Sequence, residues 1–168
     1  DYTNTIDAME KNGVLLTRVN SIFANMSSAL TNDEHQKIAE QVAPLLSQHQ
    51  DDIALNEKLF QRIKAVYLKK DRLPLGVEQK TVLEKYYKDF VRGGANLDPA
   101  QKTELRALNK ELSLLSLKFG DNVLKETNAY KLVIENVADL AGLPETVIVG
   151  AAETANEKGL PGKWVFTL

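Results

Sequence analysis

Asp98-Pro99-Ala100-Gln101-Lys102-Thr103-Glu104-Leu105, running on without a glycine or proline as far as Phe119, is the stretch whose reading decides the fold. Asp98 offers an N-cap carboxylate, and Pro99 stands at the first helical position, where no amide hydrogen is needed. Gln101, three residues after Asp98, can close a capping box. Leu105, Leu108, Leu112, Leu115 and Phe119 then alternate at spacings of three and four, which is one face of a helix. Leu114, Leu117 and Leu124 add a second stripe, so the middle of the helix needs neighbours on two sides. The pattern predicts one helix over about 98–128, a rod of roughly 45 Å, with the rest of the chain organised on it.

Upstream, Thr3 to about Met26 reads as a helix with Leu15, Val19, Ile22 and Met26 on one face and a local break at Gly13. Thr31 and Glu34 form a second capping box. It opens a helix that turns Ile38, Val42, Leu45, Leu46 and Ile53 inward, and Pro44 is expected to kink it. Asn56 caps a third helix carrying Leu59, Phe60, Ile63, Val66 and Tyr67. After the loop Leu73-Pro74-Leu75-Gly76, a fourth helix presents Val82/Leu83, Tyr86/Tyr87 and Phe90/Val91, and Gly93-Gly94 stops it.

Downstream the period changes. Tyr130 to Glu135 and Trp164 to Leu168 read as strands, and Pro144 opens a short helix between them through Ala151, Ala152 and Ala155. The expected fold is therefore mainly α: a helical bundle organised on one long helix, with a small two-strand, one-helix appendage. Residues 1–128 form the bundle and 129–168 the appendage, together one continuous domain. The chain starts without Met and stops inside a strand, so we read it as a fragment of a larger protein.

A length of 168 residues and 43% hydrophobic content allow a core, and a net charge of -2 gives no general attraction to nucleic acid or anionic lipid. Cysteine is absent, which excludes disulfides and thiolate metal sites. No apolar run approaches the ~20 residues of a membrane span. Neither a nucleic-acid nor a membrane partner is expected.

Catalytic candidates fail one by one. His35 and His49 stand 14 residues apart on one helix, roughly 21 Å along its axis. A zinc ion needs its ligand nitrogens ~2 Å away, so the pair cannot share one. His49, among Leu46 and Ile53, reads as a hydrogen-bonded histidine at the core's edge. No H-E-x-x-H, P-loop or G-x-S-x-G occurs. Asp33-Glu34 suits a helix N-terminus, and Asp51-Asp52 lacks the alternating oxygens of a calcium loop. Ser113 and Ser116 lie on the long helix, where hydroxyls bond back to the backbone. Lys58, Arg62, Lys64, Lys69, Lys70 and Arg72 read as a solvated face. No catalytic, cofactor-binding or metal-binding residue is assigned in this chain.

Several short stretches nevertheless resemble a known family. They are Asn4-Thr5-Ile6-Asp7-Ala8-Met9-Glu10, Leu55-Asn56-Glu57-Lys58-Leu59-Phe60 and Asp89-Phe90-Val91-Arg92-Gly93-Gly94-Ala95. Leu108-Asn109-Lys110-Glu111-Leu112 through Phe119-Gly120, Asp139-Leu140-Ala141-Gly142-Leu143-Pro144 and Glu157-Lys158-Gly159-Leu160 complete the series. Together, in this order, they resemble the N-terminal helical region of the M3 family of zinc oligopeptidases, in its bacterial peptidyl-dipeptidase branch. The resemblance implies a longer parent enzyme in which a later domain carries H-E-x-x-H and a further Glu, holding a catalytic zinc. It also implies that the N-terminal region forms part of one wall of a channel admitting short peptides. The implied partners are the remaining polypeptide with its catalytic domain and, for the parent, short peptide substrates. None of the zinc ligands has a counterpart here, so the chain alone is expected to be inactive and to bind no cofactor. The cytoplasm is the expected compartment, with the periplasm as the alternative. The competing reading is a standalone helical protein-interaction module without enzymatic activity.

Overall fold

The computed structural model describes all residues from Asp1 to Leu168. The helices are α1 (Ala8–Glu10, continuing a π turn at Thr3–Asp7), α2 (Val14–Ala29), α3 (Asp33–Ala54), α4 (Glu57–Tyr67), α5 (Val77–Arg92), α6 (Pro99–Ala129) and α7 (Glu145–Glu157). Two short strands, β1 (Leu132–Ile134) and β2 (Trp164–Phe166), complete the chain. The residues form two compact units, Asp1–Leu117 and Lys118–Leu168.

Local chemistry sets most of the boundaries. Gly13 adopts φ 77, a left-handed conformation that ends the N-terminal turn and lets α2 start afresh. The Asn56 side chain accepts from the Leu59 amide at 3.0 Å. At α6 the capping box is complete: the Gln101 amide donates to Asp98 Oδ1 at 2.9 Å, and the Asp98 amide donates to Gln101 Oε1 at 3.2 Å. The α3 cap differs from the sequence reading by one residue. Asn32, not Thr31, accepts from the backbone amide of His35 at 2.9 Å, which agrees with the stronger capping preference of Asn. α3 runs on through Pro44 to Ala54.

In the first unit the core lies where α4 and α5 meet the N-terminal turn. Phe60, Ile63 and Val66 from α4, Leu83 and Phe90 from α5, and Tyr2 and Ile6 from the N-terminus are buried together. Phe60 lies parallel to Phe90 and Tyr87 at 6.2 and 5.9 Å, and Tyr67 stacks on Tyr87 at 4.0 Å. The long helix is present as the sequence predicts, but the packing is not centred on it. α6 has no buried residue: Leu112 is 61% exposed and Phe119 72%. α2 likewise buries nothing.

In the second unit β1 and β2 pair antiparallel, with Leu132 opposite Phe166, Val133 opposite Val165 and Ile134 opposite Trp164. α7 packs on β2. Its buried Ala151 and Ala155, one helical turn apart, present little side chain on that face, and Val165 is buried in β2. Lys163 on the strand's approach is paired with Glu135.

Candidate functional site

Asp51, in the last turn of α3, is the one buried carboxylate, 5% exposed. A buried carboxylate needs donors, because losing water without replacement costs several kcal/mol. α6 supplies one: Asn109 Nδ2 donates to Asp51 Oδ1 at 2.7 Å. One turn earlier Arg106 donates to Asp52 Oδ1 at 2.7 Å and to the Asp51 carbonyl at 3.4 Å. Arg106 and Asn109 lie three apart on one helix face and meet the consecutive pair Asp51-Asp52. An open cavity of about 400 Å³, lined by Pro44, Leu45, Gln48 and Lys110, adjoins this junction. Arg106 and Asn109 are paired with Asp51 and Asp52, and no imidazole or hydroxyl lines the cavity. These bonds form a polar clasp between α3 and α6. Sequence reasoning weighed the acid pair only as a calcium loop and missed this role; the Arg106/Asn109 spacing was the available signal.

The second polar cluster ties down the N-terminus. The Tyr86 hydroxyl donates to the Glu10 carboxylate, and Arg62 donates to the Asn4 carbonyl at 2.9 Å. Burial, followed by the Glu10 hydrogen bond and charge, pushes the Tyr86 phenol up to about 12. An unstructured tyrosine ionises near pH ~10. With the folded value raised, the stabilisation is complete below pH ~10 and is lost as pH rises from there towards 12. An absorbance titration is expected to show Tyr86 ionising late alongside Tyr2, whose phenol is also raised by burial and by Asp7 and Glu10, and Tyr86→Phe to reduce the amplitude of that late limb. An unchanged high-pH limb in Tyr86→Phe would refute the assignment.

The other candidates are dispersed. His35 sets its ring edge-on to Phe23 at 5.6 Å, with Nδ1 buried and without a partner. His49 is exposed rather than packed at the core's edge, on a hollow shared with Leu16, Asn20, Leu46 and Ser113. Asp33 and Glu34 occupy the first turn of α3. Ser113 bonds back to the Lys110 carbonyl at 2.7 Å. Lys70 pairs with Glu84 and lies 4.7 Å above the Tyr67 ring, while Phe60 and Tyr67 stack inside the core. Nowhere do three or more His, Asp or Glu side chains gather in a group able to hold a metal. No helix is long and apolar enough to cross a membrane.

What the geometry does leave conspicuous is uncovered apolar surface. Leu15, Val19, Ile22 and Met26 on α2, and Leu108, Leu112 and Leu115 on α6, are all exposed. No family model matches the chain. Over all 168 residues, however, it is 42% identical to the dipeptidyl carboxypeptidase of Escherichia coli (strain K12) and 38% identical to that of Salmonella typhimurium. The chain is a homologue of the M3 family dipeptidyl carboxypeptidases. Oligopeptidase A of Haemophilus influenzae is more distant, at 28% identity over 99% of this chain. The match takes in 25%, 25% and 24% of these three proteins, so the chain spans about a quarter of the length of the curated relatives it matches.

Proposed function

We propose that this chain is a non-catalytic part of a zinc peptidyl-dipeptidase, contributing to the wall of the channel that admits short peptides to a catalytic domain elsewhere in the polypeptide. The observation that supports this reading is the identity of 42% running end to end through a quarter of a dipeptidyl carboxypeptidase. The residues present do not fit a zinc site. Structural and catalytic zinc need three or four nitrogen, sulfur or oxygen ligands within ~2.3 Å. This chain has no cysteine and two histidines, placed 14 residues apart. The hydrolytic chemistry is therefore assigned to polypeptide outside these residues, and the contribution of this part is structural.

Two measurements test the reading. The purified chain, supplied with zinc, is expected to leave an internally quenched peptide uncleaved; turnover abolished by a chelator would refute it. The reading frame beyond Leu168 is expected to encode H-E-x-x-H. A stop codon there would favour the standalone interaction module instead.

A further inference from the structure

We infer that the α2 stripe of Leu15, Val19, Ile22 and Met26, with Leu108, Leu112 and Leu115 of α6, is an intramolecular docking surface covered by an aliphatic face of the remaining polypeptide of the same protein. The inference rests on the reading that this chain is part of a longer peptidase, and it names the surface through which that part is held.

The length of the relatives points to the occupant. The relatives continue for about three times the length matched here, since the chain spans 25% of them.

Chemistry agrees with that occupant. α2 carries a single charged residue, Arg18, among the sixteen from Val14 to Ala29. Leu15 is 77% exposed and Ile22 62%, an apolar face that water penalises at roughly 25 cal/mol per Å². An open hollow of about 540 Å³ lies between α2 and α3, lined by Leu16, Asn20 and Leu46 with Ser113 of α6 among others.

The two methionines make the test direct. Met26 lies on the α2 stripe, 45% exposed, while Met9 packs against the core. Thioether oxidation by peroxide follows exposure. Read by mass spectrometry, Met26 is expected to oxidise on the order of tenfold more slowly in the full-length protein than in the 168-residue chain, with Met9 little changed. Ile22→Glu is expected to restore Met26 oxidation in the full-length protein and to leave the helicity of the 168-residue chain unchanged. Equal Met26 rates in both proteins overturn the docking surface while leaving the parent-peptidase reading intact. Protection of Met26 in the chain alone that grows with its concentration overturns it in favour of a second copy. A gene with no further coding sequence overturns both readings.

Discussion

Phe60→Ala is expected to cost about 3–5 kcal/mol of folding stability, while Leu112→Ala stays within about 0.5 kcal/mol of the parent. Phe60 is 2% exposed, with Tyr87 and Phe90 parallel to it at 5.9 and 6.2 Å. Truncation removes the transfer energy of a whole ring and leaves a cavity between α4 and α5 that two large aromatics cannot easily fill. Leu112 is 61% exposed, so its loss uncovers little, and Leu and Ala are both good helix formers. Urea midpoints measure the two costs. The near-ultraviolet circular dichroism of the Tyr67–Tyr87 stack, at 4.0 Å, reports specifically on this core. Equal destabilisation by the two substitutions would show that the long helix, not the α4–α5 pair, carries the fold.

That contrast explains what was legible in the sequence. Element type and boundaries were readable because caps and breakers act within a few residues. Asp98 with Gln101, Asn56, Gly13 and Gly93-Gly94 each announce a helix end through local hydrogen bonds or backbone freedom. The shift from Thr31 to Asn32 arises because two adjacent residues can both cap, and the outcome depends on which backbone adopts the extended conformation. Burial was less legible. Periodicity shows that α2 and α6 each own an apolar face. It does not show what covers that face, because the covering group is set by distant chain. Leu108, Leu112 and Leu115, four and three apart, and Phe60, Ile63 and Val66, three and three apart, each mark one helix face, yet only the latter are buried. The Asp51–Asn109 clasp was illegible for the same reason: it joins residues 58 positions apart.

Gly94→Ala is expected to destabilise the first unit by roughly 2–5 kcal/mol, from two separable causes. Gly94 holds φ +97, a conformation that costs an L-residue about 1–2 kcal/mol. It lies at the turn out of α5, where the Ala95 amide donates to the Phe90 carbonyl at 3.0 Å and closes the helix. A Cβ built there would sit 2.7 Å from Leu105 Cδ2, 2.9 Å from Leu97 Cδ1 and 3.2 Å from Leu55 Cδ2. These leucines come from the start of α6, the α5–α6 turn and the end of α3, so relieving one overlap presses on another. Overpacking of this kind adds about 1–3 kcal/mol. Gly13→Ala isolates the first cause, since Gly13 has φ +77 with nothing within 4 Å of its Cβ position. It is expected to cost only the conformational ~1–2 kcal/mol. A Gly94→Ala midpoint no lower than that of Gly13→Ala would mean the three leucines move aside freely, and that the α3–α6 corner is loosely packed.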